Sequence, residues 1–324
     1  MDSPLFTRLH DEGLISDASL SKVEATNQQN YFSLFWELRT LLYLGVLLLT
    51  GGLSVLVYKN IDSIGHSVVV AFITLISAGS YYYAIQHGGD FSWKKQHSPN
   101  SLFDYIVLLA CLSFVCLVGY VQFQYHVFGD RYGMASFVPM VVLFLSAYYF
   151  DHIGVLSLAI TALCAWAGIT VTPTRLLVDN DFNSHSIIWT GIALGVFLTA
   201  MAWFSERRSL KSHFSFSWLN FGLHLLFVSL LAGLFTFDNV YLLWFLFLPV
   251  AGFYFYKLAL QKKSFYLIVM VVLYSYIGLS YVVMRLLFYT FQGDSITLGL
   301  MYFVATGAGL IVLLINLNRK IKQS

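Results

Sequence analysis

Leu41-Leu42-Tyr43-Leu44-Gly45-Val46-Leu47-Leu48-Leu49-Thr50-Gly51-Gly52-Leu53-Ser54-Val55-Leu56-Val57-Tyr58 carries no charged side chain. Eighteen helical residues rise about 27 Å, close to the roughly 30 Å of a hydrocarbon core. The run therefore reads as a membrane span, preceded by Glu37 and Arg39 and followed by Lys59, Asn60 and Asp62. The same alternation of apolar run and polar break predicts further spans over 67–86, 102–123, 135–150, 153–172, 187–204, 218–236, 241–260, 265–290 and 296–316. The expected fold is all-α, a polytopic transmembrane helical bundle of about ten spans. The tightest joint falls between the fourth and fifth spans, where only Asp151 and His152 intervene and Gly154 is expected to ease the turn.

Composition agrees with this reading. Hydrophobic residues make up 58% of the chain and charged residues 10%, against about 25% charged in a soluble domain, so most of the surface must face lipid. Cys111, Cys116 and Cys164 all lie inside apolar runs and read as small packing groups, not disulfides or metal ligands. Residues 1–38 are too polar for a signal peptide, which leaves the first span as the insertion signal.

Charge placement gives the threading. An even number of spans puts both termini and alternate loops on one side, and that side collects 14 of the 18 Lys and Arg residues. The other side holds Lys59, Arg131 and Arg175, while Arg285 falls within the ninth span. By the positive-inside rule both termini face the cytoplasm, with the cytoplasmic (inner) membrane as the expected location. The spans also divide into 39–172 and 187–316, five in each, joined by 173–186. An odd number per half is the geometry of inverted-repeat transporters. Pro249, expected to break the middle of the eighth span, has no counterpart in the third, so the 5+5 division rests on geometry alone.

Three regions follow: a cytoplasmic helical hairpin with an interfacial segment over 1–38, the ten-span domain over 39–316, and a basic tail over 317–324. In the hairpin, Ser3-Pro4 starts a first short helix, Gly13 supplies the left-handed residue that stops it, and Ser16 opens a second. Residues 1–38 hold six acidic side chains against Arg8 and Lys22, a balance that repels phosphate and excludes a nucleic-acid reader. Tyr31, Phe32, Phe35 and Trp36 form an interfacial aromatic belt before the first span. The acidic short helix, Glu12-Gly13-Leu14-Ile15-Ser16, and a first span with Gly45 and Gly51 ending in Asn60-Ile61-Asp62 resemble a bacterial family of polytopic inner-membrane proteins catalogued as a domain of unknown function. That resemblance covers about the first 65 residues and implies topology but no activity.

Candidate chemistry is sparse. Tyr274, Gly278, Tyr281 and Arg285 share one face of the ninth span, and Ser217, Asn220 and His224 share one face of the seventh. Asn220, His224, Tyr274, Tyr281 and Arg285 are therefore the candidate polar pathway, with snorkelling of Arg285 and interhelical hydrogen bonding as the plainer readings. Gly191-x-x-x-Gly195 and Ser229-x-x-x-Gly233 are small-residue faces suited to close packing within the bundle. His66, His126 and His185 lie at the outer boundary without the spacing of metal ligands. No catalytic or phosphate-binding motif occurs, and all sixteen acidic residues fall in loops or at span ends. The expectation is a protein that is not an enzyme and uses no cofactor or metal. Its partners are the lipid bilayer and a substrate that the sequence does not name. The leading functional expectation is a small-molecule or lipid transporter of flippase-like type. The alternative is a non-catalytic scaffold or complex subunit that docks a cytoplasmic protein through residues 1–30.

Overall fold

The computed structural model describes residues 9–28, 65–96, 98–129, 132–171, 185–290 and 295–323, with isolated helical positions 41, 48, 52, 55 and 59. The predicted first span and the connection over 173–186 therefore lie largely outside the described residues. The chain divides into two compact units, Met1–His66 and Ser67–Ser324.

In the first unit the predicted hairpin turn is present. A helical turn ends at Gly13, whose φ of +72° places it in the left-handed region. The Leu14 N–H donates to the Leu9 carbonyl at 2.9 Å and the Gly13 N–H to the His10 carbonyl at 2.8 Å, the bond pair of a Schellman stop. Ser16 follows, and helix α1 runs over Asp17–Gln28. His10 Nε2 meets Asp17 Oδ1 at 2.6 Å and ties the two segments together. That carboxylate, together with Asp11, holds the His10 imidazole above its ordinary pKa, outweighing desolvation.

The second unit is built from helices α2 (His66–His87), α3 (Ser101–Tyr125), α4 (Tyr132–Tyr149), α5 (Ile153–Val171), α6 (His185–Arg207), α7 (Ser215–Thr236), α8 (Tyr241–Gln261), α9 (Phe265–Thr290) and α10 (Ser295–Gln323). Among the described residues these nine are long and apolar enough to cross a membrane, and no strand occurs. They coincide with the second to tenth predicted spans to within a turn, except that α10 continues as helix through the basic tail. Pro139 and Pro249 both sit inside uninterrupted helices, which corrects the expected break in the eighth span.

Helix α7 is the centre of this unit. Leu219, Leu223, Phe227 and Leu234 are fully buried, and α7 packs against α5, α6, α8 and α9. Lipid offers no hydrophobic drive for helix association, so close approach of backbones must supply the attraction. The small-residue faces do this. A Cβ on Gly191 would collide with the Ser229 hydroxyl, and one on Gly195 would come within 2.8 Å of the Leu226 backbone nitrogen. Gly233 lies instead under the ring of Trp244 on α8.

The short joint between α4 and α5 is real, and Gly154 eases it while Asp151 supplies the reversal. Asp151 takes the left-handed conformation, with φ of +56°. His152 then caps α5, accepting the Val155 N–H at Nδ1 over 3.1 Å. Gly154 leaves room for that ring, since a Cβ there would stand 2.9 Å from the His152 Cε1.

Candidate functional site

Among the described residues, no chain of hydrogen bonds links all five residues of the expected polar pathway. His224 on α7 bridges two tyrosine hydroxyls of α9, Tyr274 at 2.7 Å through Nδ1 and Tyr266 at 2.8 Å through Nε2. One imidazole nitrogen must donate and the other accept, so both are satisfied. Asn220, one turn before, has a buried Oδ1 without a hydrogen-bond partner. Tyr281 and Arg285 belong to a separate group, about two and three turns beyond Tyr274 along α9. There the Arg285 guanidinium donates to Asp238 at 2.6 Å and to the Tyr281 hydroxyl at 3.1 Å, and lies 4.3 Å from the Tyr241 ring centroid. Asp238 belongs to the turn Asp238–Val240 between α7 and α8. The arginine is thus held at the helix ends, as snorkelling requires.

A denser polar group occupies the opposite helix ends, where the loops over 88–100, 150–152 and 208–214 meet. The Asp151 side chain is 2% exposed and the Lys211 side chain fully buried, with Nζ 3.0 Å from Oδ1. That approach makes an ion pair by distance, although its direction falls short of a hydrogen bond. His213 Nε2 reaches the same oxygen at 2.6 Å, and the Gln96 N–H donates to Oδ2 at 2.6 Å. Burial pushes the Asp151 carboxyl up, but Gln96, Lys211 and His213 together outweigh it and hold it below the ordinary aspartate value. The Lys211 N–H also donates to the Trp93 carbonyl at 2.9 Å. One carboxylate thus fastens three loops, and a cavity of about 310 Å³ beside it is lined by Gln96, Ser98, Asp104, Asp151, His152 and His213. Lying in a two-residue link did not leave this acid exposed.

Two larger cavities are apolar. One, of about 740 Å³, lies near the same helix ends, lined by Tyr81, Ile85, Trp93 and Phe144 among others. The other, of about 730 Å³, is a groove floored by Leu226 and Leu230 of α7, walled by α6 from Trp189 to Trp203 and by α8 from Trp244 to Phe255. Fourteen residues of α6 rise about 21 Å. That exceeds half of a hydrocarbon core, about 15 Å, so this groove passes the depth of one leaflet. The Thr199 hydroxyl within it already donates to the Gly195 carbonyl at 2.8 Å, which leaves the lining dry in character. At one end the Trp189 and Trp244 rings approach to 5.4 Å, with Phe237 stacked behind Trp244 at 5.0 Å. At the other, Arg207 stacks over Trp203 at 4.9 Å. None of these three cavities is lined by a residue of the expected pathway.

Sequence reasoning found His224, Tyr274, Tyr281 and Arg285 as intramembrane polar residues but missed Tyr266 and Asp238, which satisfy them. It also missed Asp151, Lys211 and His213 as a unit. The available signal was a charge in a two-residue link, facing a later loop with both Lys and His.

A family model described as "Predicted membrane protein (DUF2157)" matches residues 7–156. The match runs well beyond residue 65, through α4 and into the first turn of α5, and includes Asp151 but not the groove, Lys211 or any residue of the expected pathway. No curated protein and no solved structure matches the chain.

Proposed function

We propose that this membrane protein handles lipid, admitting an apolar chain sideways into the groove between α6 and α8, in the manner of a lipid transporter. The observation that carries the reading is the groove itself: about 730 Å³, apolar along its length and longer than one leaflet is deep. A polar solute would exchange its water for a lining made almost wholly of carbon, whereas an acyl chain loses nothing on entering and gains close packing. His224 with Tyr266 and Tyr274, and Arg285 with Asp238 and Tyr281, are each satisfied within their own group, which favours lipid over a small hydrophilic substrate.

The test is native mass spectrometry of the purified protein after detergent exchange. Wild type should retain lipid that Ala200→Trp and Ala251→Trp, which fill the groove, lose. Equal retention by all three would overturn the reading. Movement of a fluorescent phospholipid between leaflets of reconstituted vesicles then separates carriage from mere binding.

A scaffold role has one observation in its favour. The N-terminal turn is a defined structure that leaves Leu14 68% exposed, an apolar contact for a cytoplasmic protein. Deleting residues 1–30 would abolish co-purification of that protein and leave lipid retention unchanged.

A further inference from the structure

Resting on the lipid reading, we infer that the groove selects phospholipids of net negative charge, with the headgroup at the basic end of α6 and α8. The register of both helices points there. Arg207 follows the groove-lining Trp203 by four residues and Lys257 follows the groove-lining Tyr254 by three, so each cation continues a wall of the groove beyond its open end. Both side chains are exposed. Arg207 lies over the groove-lining Trp203 ring at 4.9 Å, which presets its direction. Lys257 lies at 4.6 Å over Phe253, outside the groove lining, and reaches the groove end only by its place one turn after Tyr254.

Among the described residues, neither cation has a carboxylate at ion-pair distance. The acid nearest in sequence, Glu206, is engaged elsewhere: it pairs with Lys262 and accepts from the Ser215 hydroxyl at 2.6 Å. The contrast with the far end is direct. There the Trp189 and Trp244 rings narrow the groove, and Arg285, a cation of that end, is already neutralised by Asp238. An amphiphile with one anionic end and one apolar chain fits this asymmetry in only one orientation. Its phosphate sits between Arg207 and Lys257, and its chain runs along Leu226 and Leu230 toward Trp189. A zwitterionic phospholipid brings an ammonium to the same two cations and loses part of the attraction.

The experiment adds equimolar phosphatidylglycerol and phosphatidylcholine of identical chains to delipidated full-length protein and reads the bound ratio by native mass spectrometry. Wild type should favour phosphatidylglycerol. Arg207→Gln and Lys257→Gln should each reduce that preference about fivefold, since a basic group at the surface is worth about that factor toward an anionic lipid. Arg207→Lys should keep most of it. Because both positions are exposed, thermal unfolding should stay at the wild-type temperature. Arg319→Gln, on α10 away from the groove, should leave the ratio alone. Wild-type retention without headgroup preference, or a preference untouched by both substitutions, would overturn the inference while leaving the lipid reading intact. Failure of wild type to retain either lipid would overturn both.

Discussion

Lys211 and His224 are both cationic residue types set among apolar helices, yet their surroundings predict different energetic weights. Lys211 is fully buried with one counter-ion, so Lys211→Met leaves Asp151 desolvated and short of a partner. Breaking a buried pair from one side costs about 3–5 kcal/mol. Gln96 and His213 remain on Asp151, which places the expected loss near the lower end, read as a fall in unfolding temperature in detergent. Lys211→Met combined with Asp151→Leu should recover most of it, because the stranded charge is gone. Acid should act on the same group. The folded pKa of Asp151 is depressed, so its contribution is present above the unfolded value of about 3.8 and is lost as pH falls through the lower folded value. A plot of unfolding temperature against pH should therefore steepen below that point in wild type and flatten in Asp151→Asn. His224→Phe gives up two neutral hydrogen bonds. At about 0.6 kcal/mol each in membrane proteins, the loss should be near 1 kcal/mol, well short of the lysine variant.

At the scale of elements, the contact of α6 with α7 is set by what is missing from the side chains. Gly195 faces backbone on α7, so Gly195→Ala forces the helices apart and should cost about 1–3 kcal/mol. Gly119→Ala on α3, where the added Cβ meets nothing within 4 Å, should cost nothing by the same thermal measurement. This interface was legible in the sequence because small residues four apart on one helix face leave few other roles. The helices were legible too, since an uncharged run of about twenty residues has few alternatives. The turn at Gly13 was equally readable, because a left-handed stop favours glycine. What stayed hidden were the pairings across elements. Asp151 with Lys211, and Arg285 with Asp238, join residues dozens of positions apart whose meeting depends on how helices rotate about their axes, and apolar composition all round a helix carries no record of that rotation. The groove was hidden for the same reason: Trp189, Trp203, Trp244 and Tyr254 look like any interfacial aromatics until α6 and α8 are placed on either side of α7. The break assigned to Pro249 failed because membrane helices tolerate proline where neighbours satisfy the freed carbonyl.

Across the molecule, the loops that share a side in the charge count also meet in space: Trp93, Gln96, Asp151, Lys211 and His213 join at one set of helix ends, and Asp238 and Arg285 lie at the other. If the basic end faces the cytoplasm, reporters fused after residue 264 and at the C-terminus should report one compartment and a reporter after residue 239 the opposite one. The central claim is that the interior at mid-depth is dry and that its groove takes lipid, not water. Cysteine accessibility tests this most directly, in a background lacking Cys111, Cys116 and Cys164, with single cysteines at 200, 224, 250, 274, 207 and 285. A membrane-impermeant maleimide should modify only 207 and 285, at the two edges, while a lipid-soluble maleimide should also reach 200 and 250 on the groove walls. Modification of 224 and 274 by the impermeant reagent would contradict the claim, because it would place water beside His224 and restore the polar pathway as the route for a hydrophilic substrate.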